Sequence, residues 1–262
     1  FIGIYIKTKL LNNSNVVKTL GKSKFNDYQV DLSQDHVEID EDFDIIIHSA
    51  SIVHDSSHSN NYNQELIFKD IEITLNFIKC INNISFQKLI FLSSVSVYGV
   101  VDGIDIDINQ KQLPKSGYGL SKSISEKILL KNIIQEKLLV LRLPLVNGPN
   151  PKGNIKKALN TINSGKMFLF NGNKAMKSVL ELDDLYTFIV SKSLKFNGIH
   201  QIKSYDIRFN DFIRGLSSNR IYHLPHFLLK LLLFSSKRLK ISSLQRTLSK
   251  ISKDLTFIDS TK

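Results

Sequence analysis

Short apolar runs alternate with longer helical patterns along the chain, and this alternation limits the fold more than any other feature of the sequence. Four runs are apolar, short and bounded by polar turns, as buried strands are: residues 15–19, 44–48, 88–93 and 140–143. A strand–helix–strand crossover joins parallel neighbours, and fully apolar strands are covered on both sides. The pattern therefore predicts an α/β fold with a parallel sheet between two layers of helices.

Two segments between these runs have the 3.6-residue period of an amphipathic helix. Their apolar stripes are Ile67, Ile71, Leu75, Ile78 and Ile81 in the first segment, and Leu120, Ile124 and Ile128 in the second. Cys80 is the chain's single cysteine, so an intramolecular disulfide is excluded. Because it lies on the apolar side of the first helix, we expect a buried thiol.

The formal net charge of the 262-residue chain is +11, and it is concentrated near the C-terminus. From Gln201 onward there are 12 Lys and Arg against 4 Asp and Glu, a net charge of +8. Such a region suits nucleic acid, anionic lipid or a phosphorylated metabolite, or is a solvated lysine-rich face. Nucleic acid is the less favoured partner, because the region lacks interleaved aromatic residues and any recognisable nucleic-acid module.

The apolar run 227–234 is too short to span a bilayer and is interrupted by Lys230. It predicts a helix packed in a second domain. Docking on a membrane surface, helped by Lys237, Arg238 and Lys240, is the alternative. With no transmembrane or signal-peptide pattern in the sequence, we expect a cytoplasmic location.

The sequence opens with Phe1-Ile2-Gly3, and residues 4–11 already have a helical pattern. A dinucleotide-binding fold begins with a strand and a glycine-rich turn whose N–H groups hold the pyrophosphate, and Gly3 suits the last glycine of that turn. Losing a central strand would remove about 6–12 kcal/mol of stabilisation by apolar burial. The net free energy of unfolding of a whole domain is only roughly 5–15 kcal/mol. We therefore expect the natural gene product to begin upstream, with the first strand of the sheet.

Ser94, Tyr118 and Lys122 form the strongest candidate site. Ser94 ends an apolar run, where open parallel sheets bind ligands, and Tyr118 and Lys122 lie four apart on one helix face. An ammonium about 4 Å from a phenol contributes roughly 4 kcal/mol at an effective dielectric of 20, or about three pK units. We expect Lys122 to bring the pKa of Tyr118 near neutrality while Ser94 holds the substrate oxygen. This arrangement suits removing a proton from an alcohol as a hydride leaves the carbon.

In its motifs the chain resembles the extended short-chain dehydrogenase/reductase family, in the branch of NAD-dependent nucleotide-sugar epimerases and dehydratases. The matching segments run in the family's order: Phe1-Ile2-Gly3, Asp31-Leu32, 44–50, 91–99, Tyr118-Gly119-Leu120-Ser121-Lys122, 141–149, Lys152-Gly153-Asn154 and 178–185. The resemblance implies a doubly wound Rossmann-type parallel sheet, whose dinucleotide-binding domain covers residues 1–147, with 176–205 returning to it. It implies a smaller, mostly helical substrate-binding portion over 148–175 and 206–262.

The resemblance also implies roles for single residues. Gly3 would be the third glycine of the phosphate loop, Asp31 and Leu32 would flank the adenine, and Ala50 would lie near the cofactor's ribose and phosphates. The remaining cofactor positions are Lys22, Ser93, Pro144, Tyr118 and Lys122, the last holding the nicotinamide ribose. Ser94, Tyr118 and Lys122 would be the catalytic set. Ser94, Asn154 and Lys177 would bind the substrate, the last two contacting the nucleotide-sugar diphosphate.

Several positions depart from the family pattern. Gly21 replaces the acid that would bind the ribose 2′-hydroxyl of NAD, and Lys22 and Lys24 beside it would tolerate a 2′-phosphate. The sequence thus leaves NAD and NADP open, with a slight preference for NADP. Asp70 stands where the family usually has asparagine.

Val95 and Ser96 stand where sugar 4,6-dehydratases carry an Asp-Glu pair for eliminating water. Dehydration is therefore disfavoured, which leaves 4-epimerisation of a UDP-hexose or UDP-N-acetylhexosamine, or reduction of a 4-keto sugar. Two other hypotheses stay open. One is a non-catalytic Rossmann-type protein that binds RNA or a partner. The other is a hydroxysteroid-type dehydrogenase, which would need an apolar substrate pocket.

Three minor expectations complete the sequence analysis. His54 and His58 lie in a polar stretch that predicts a loop over the cofactor and no metal site. Asp183 and Asp184 come at a helix start and are expected to cap it. The resemblance is compatible with a homodimer.

Overall fold

The structure is a computed structural model that describes residues 1–52, 64–217, 219, 221–239 and 242–262. The polar stretch with His54 and His58 lies outside the described residues. The described helices are α1 Ile2–Asn12, α2 Gln64–Cys80, α3 Gly117–Asn132, α4 Gly153–Asn163, α5 Leu182–Ser191, α6 Phe209–Gly215, α7 His226–Arg238 and α8 Ser242–Ser252.

The strands range from two residues in β1 and β2 to nine in β4. In chain order they are β1 Leu20–Gly21, β2 Tyr28–Gln29, β3 Phe43–His48, β4 Phe86–Ser94, β5 Gly103–Ile106, β6 Leu138–Leu143, β7 Leu145–Asn147, β8 Phe168–Phe170, β9 Met176–Glu181, β10 Gly198–Gln201, β11 Tyr205–Arg208, β12 Tyr222–Leu224 and β13 Leu255–Phe257.

The central sheet is parallel and has the order β10-β6-β4-β3. Successive residues of β4 and β6 face opposite sides, so one apolar strand contributes to two cores. One core lies against α1 and α5, and the other against α2 and α3. The prediction of a doubly wound parallel sheet is confirmed, as are the strands expected at 44–48, 88–93 and 140–143 and the helix expected at 4–11.

The strand predicted at 15–19 is wrong. These residues are irregular, Val16 is fully exposed, and the pairing begins only at β1, which is parallel to β2. Thr19 instead hydrogen-bonds to the Asp27 carboxylate, to which it donates from its backbone N–H at 2.7 Å and from its hydroxyl at 2.9 Å. Two valines without a covering layer were too little apolar surface to form a strand.

The apolar stripe predicted on α2 is shifted. Leu75 is exposed, and the inward side chains of the helix are Ile67, Asp70, Ile73, Thr74, Asn76, Phe77 and Cys80. The expected buried thiol of Cys80 is confirmed. The helix thus contains more apolar residues than its buried face needs, and the sequence period alone did not identify the buried set.

On α3 the prediction fails more completely, since Leu120, Ile124 and Ile128 are only half-buried. The buried face is mostly polar: Gly119, Ser121, Lys122, Ser123, Ser125, Glu126 and Leu129. Polar side chains on this face hydrogen-bond to α2: the Thr74 hydroxyl donates to Ser125 Oγ at 2.9 Å, and the Ser121 hydroxyl donates to Asp70 at 2.6 Å. Burial follows these hydrogen bonds, because an unpaired polar group would be costly there.

A second sheet has the order β11-β9-β13-β5, with β7 also paired to β9. Its strands come from before, within and after the segment 176–205. In that segment, β10 is a strand of the central sheet and α5 packs against the face of that sheet. The division of the chain into two domains stays a prediction.

Asp183 does not cap α5, which begins after Glu181 without a side-chain cap. Its carboxylate instead accepts a hydrogen bond from the Tyr5 hydroxyl at 2.5 Å and pairs with Lys9 at 2.8 Å. Both partners belong to α1, so the acid joins the two helices on one face of the sheet. In the part of the chain that the structure describes, no helix is long and apolar enough to cross a membrane.

A buried ion pair joins α3 to the central sheet. Arg142 of β6 donates to both carboxylate oxygens of Glu126, from Nε at 3.1 Å and from Nη2 at 2.7 Å. The same carboxylate accepts hydrogen bonds from Ser93 at 2.5 Å and Gln112 at 2.9 Å, and Arg142 also donates to the Tyr98 hydroxyl. Every oxygen of the acid is therefore satisfied inside the protein.

Removing one member of this pair should be strongly destabilising, because the other charge is left buried. We expect Arg142→Met to lower the free energy of unfolding by about 3–5 kcal/mol in urea titrations. Arg214→Met is the matched control, since Arg214 makes an exposed pair with Asp211 at 3.2 Å and should change stability by less than about 0.5 kcal/mol. Equal losses in the two variants would contradict this account.

Candidate active site

Ser94 lies at the carboxyl end of β4, with its side chain held in a fixed position. The residue caps the short 3₁₀ turn Val95–Tyr98, and its Oγ accepts a hydrogen bond from Ser96 N at 3.2 Å. It is also 3.1 Å from Ser96 Oγ. Ser94 therefore lies at the carboxyl end of the parallel sheet, where ligands of this fold class bind.

Tyr118 and Lys122 lie on the first turns of α3, which begins at an N-cap on Ser116. The helix approaches the turn after Ser94 very closely, since a Cβ added to Gly119 would come within 2.4 Å of the Ser96 carbonyl oxygen. This approach lets the Tyr118 and Ser94 side chains hydrogen-bond to each other. Lys122 Nζ lies 5.9 Å from the centre of the Tyr118 ring and 4.7 Å from that of Phe91. The three predicted side chains thus form one cluster.

Asp70 of α2 is a fourth member, which sequence analysis noted only as a departure from the family pattern. The carboxylate is buried and accepts hydrogen bonds from Ile52 N at 2.8 Å and Ser121 Oγ at 2.6 Å. Its negative charge raises the pKa of both Tyr118 and Lys122. A sequence signal did exist, because Asp70 lies three residues after the buried Ile67, on the same helix face.

The expected lowering of the Tyr118 pKa is wrong. Burial and, to a smaller extent, the negative charge of Asp70 raise the pKa of Tyr118 to about 12, and only the hydrogen bond with Ser94 acts in the opposite direction. Burial also lowers the pKa of Lys122 to about 8, against the opposing effect of Asp70 and Glu126. The sequence argument assumed a charged lysine close to a solvated phenol, whereas both groups are desolvated and share one carboxylate. At neutral pH the phenol is therefore protonated.

The residues predicted to bind a dinucleotide lie around the carboxyl end of the central sheet and on the adjoining β1–β2 segment. The start of α1 is packed directly against the end of β3, since a Cβ on Gly3 would be 2.6 Å from Ser49 Oγ. Ala50 is exposed just after β3, and Pro144 is half-buried just after β6. The Ser93 hydroxyl donates its proton to Glu126 at 2.5 Å.

Lys22 pairs with Asp31 at 2.8 Å, and this contact, with the Ser33 hydroxyl, lowers the pKa of Asp31 to about 2. A 2′-phosphate at Lys22 would have to compete with that carboxylate. Leu32 is buried next to it, and its carbonyl accepts a hydrogen bond from Asn76 at 3.0 Å. The preference for NADP stays a prediction.

The group best supported for this end of the sheet is a dinucleotide, because the donor set fits one. The first N–H groups of a helix have no acceptor within the helix, so the start of α1 suits the binding of phosphate. His48 Nε2 and Ser51 Oγ flank Ala50, are buried and have no hydrogen-bond partner within the described ranges. Buried polar atoms of this kind are normally satisfied, so a ligand with donors and acceptors would complete them.

The two residues predicted to hold the substrate diphosphate differ in exposure. Asn154 is exposed in the first turn of α4. Lys177 of β9 is largely buried and donates to the Lys253 carbonyl at 2.6 Å. Burial lowers the pKa of Lys177 to about 8, partly offset by Asp254 and Asp102. Its ammonium already has a backbone partner, and the diphosphate assignment stays a prediction.

Comparisons with known proteins agree with this geometry. The profile of the NAD dependent epimerase/dehydratase family matches residues 1–192. A curated relative, the N-acetyl-alpha-D-glucosaminyl-diphospho-ditrans,octacis-undecaprenol 4-epimerase of Escherichia coli O157:H7, is 23% identical over 180 residues. That alignment covers 65% of this chain and 54% of the relative, so the chain spans about half the relative's length.

Two solved structures share the fold. A UDP-glucose 4-epimerase of Thermotoga maritima, solved with UDP-glucose, matches with a TM-score of 0.65 at 16% identity. The superposition covers 86% of this chain and 82% of the epimerase chain. A UDP-glucuronic acid 4-epimerase of Bacillus cereus, solved with NAD, matches with a TM-score of 0.62 at 20% identity. The superposition covers 86% of this chain and 84% of the epimerase chain.

Gly119 should tolerate no side chain, although alanine is the better helix former by about 1 kcal/mol. Gly119→Ala must move α3 away from the Ser96 carbonyl, and we expect a loss of about 1–3 kcal/mol in unfolding free energy. The control is Gly215→Ala in α6, where an added Cβ would meet nothing within 4 Å and should be neutral or stabilising. Thermal melts of both variants measure this, and an unchanged melting temperature for Gly119→Ala would disprove the close approach.

Proposed function

The chain belongs to the NAD-dependent epimerase/dehydratase family, and on that premise we propose that it catalyses epimerisation at C4 of a diphosphate-linked hexose or N-acetylhexosamine. The observation that carries the proposal is the buried cluster of Ser94, Tyr118 and Lys122 at the carboxyl end of the parallel sheet. The 4-epimerase names of the relatives support the choice of C4. The lipid-linked sugar of one relative and the UDP-sugars of the others support a sugar held through its diphosphate.

In this proposal Tyr118 moves the proton of the C4 hydroxyl, and Ser94 holds the sugar oxygen beside the phenol. A bound nicotinamide would supply the hydride chemistry at the sugar carbon. Lys122 supplies positive charge beside Tyr118 and would hold the nicotinamide ribose. Because the pKa of Tyr118 is about 12, the phenol is protonated at neutral pH. Removal of the first proton therefore requires added positive charge next to the phenol, which lowers its pKa.

Reduction of a 4-keto sugar would use the same side chains, so the reaction outcome must be measured. The assay incubates the protein with UDP-glucose, UDP-N-acetylglucosamine or a polyprenyl-diphosphate N-acetylglucosamine, each with NAD or NADP. An epimer without net cofactor turnover is the expected product. Net consumption of NADPH with a keto sugar, and no epimer, would replace epimerisation by reduction.

Tyr118→Phe tests the proton-transfer role directly. The variant keeps the ring but removes the hydroxyl, and we expect kcat to fall at least about 100-fold. Tyr186→Phe is the matched control, because its hydroxyl contacts Asn13 at 2.8 Å, away from the cluster. If Tyr118→Phe kept more than half the activity, the phenol would not be the acid–base group.

Asp70→Asn should shift the pH dependence. The Asp70 charge raises the pKa of Tyr118 and of Lys122, so the neutral amide should lower both values. We expect the alkaline inflection of kcat/KM to move to lower pH by about one unit. Asp44→Asn, which alters an exposed acid bonded to Gln87 at 2.9 Å, should leave the profile unchanged. A shift to higher pH in Asp70→Asn would contradict the electrostatic account.

A further inference from the structure

Helix α7 carries an outward stripe of large apolar side chains. Phe227, Leu231 and Phe234 follow the i, i+4, i+7 spacing of one helix face, and they are 64%, 55% and 63% exposed. The opposite side of the same helix is anchored, because Leu229 and Leu233 pack with Phe170 and Leu248. The stripe is therefore additional to the apolar surface that holds the helix in place.

Positive charge surrounds this stripe. Lys230, Lys237 and Arg238 are exposed on the same helix, with Arg238 continuing the i+4 row from Phe234. The sequence from residue 212 to residue 253 contains nine Lys and Arg and no Asp or Glu. A solvated lysine-rich face would not also present two phenylalanines and a leucine, and a protein-binding face of this charge would need an acidic partner.

We propose that α7 docks this face on the surface of an anionic lipid bilayer, with Phe227, Leu231 and Phe234 entering the headgroup boundary and the basic side chains meeting the lipid phosphates. Helices that lie in the interface combine these two features. The 13 residues of α7 span about 20 Å, which is too short to cross a bilayer of about 30 Å, so the helix lies along the surface. The proposal does not depend on which sugar the protein acts on.

The chain contains no tryptophan, which allows a site-specific reporter. Leu231→Trp places a single indole in the stripe, and Ile134→Trp places one at an equally exposed apolar position, 64% exposed, just after α3. With vesicles containing one third phosphatidylglycerol in phosphatidylcholine, we expect a blue shift of the emission and quenching by brominated acyl chains for Leu231→Trp only. Equal responses of the two reporters, or no response of either, would overturn the proposal.

Vesicle sedimentation measures the energetics. Replacing Phe227, Leu231 and Phe234 by serine should weaken binding at least tenfold, while serine at Val16, Ile104 and Ile134 should not. Replacing Lys230, Lys237 and Arg238 by glutamine should weaken binding by about fivefold per residue and reduce its salt dependence. Gel filtration without lipid excludes another occupant: if the serine stripe variant changes oligomeric state, the face is an interface between copies and the membrane assignment is wrong.

Discussion

The ion pair between Glu126 and Arg142 is the interaction on which the candidate site depends. It joins α3, which carries Tyr118 and Lys122, to the sheet whose strand β4 ends at Ser94. Ser93 donates to the same carboxylate, so the strand end and the helix share one buried acceptor. A site assembled from a strand end and a separate helix needs such a connection, because side chains that react together must be held to within a fraction of an ångström.

The interior between α2 and α3 is more polar than a helix interface usually is. Asp70 and Lys122 are buried there, and the Asp70 carboxylate accepts hydrogen bonds from Ile52 N and Ser121 Oγ. This arrangement has an electrostatic consequence at the cluster. Desolvation and the carboxylate of Asp70 keep the Tyr118 proton bound, so the charge state of the phenol depends on what else occupies the site.

The C-terminal helices α7 and α8 lie far along the chain from this cluster and carry apolar and basic side chains. They pack together through apolar side chains, yet α7 presents a second apolar row outward among basic residues. A surface helix with apolar and basic side chains would favour encounters at a membrane, independently of the chemistry of the cluster.

The sequence by itself determined three of the four strands of the central sheet and three members of the cluster, Ser94, Tyr118 and Lys122. The runs at 44–48, 88–93 and 140–143 are apolar enough to be buried in any compact state, and Tyr118 and Lys122 share a helix face through spacing alone. Only the tertiary structure decided which side of α2 and α3 is buried, because that choice depends on partners such as Asp70 and Ser121, or Glu126 and Arg142, that are distant in sequence. The same holds for the pKa of Tyr118. Spacing placed the ammonium near the phenol, but the extent of desolvation, and the carboxylate brought in by another helix, set the direction of the shift.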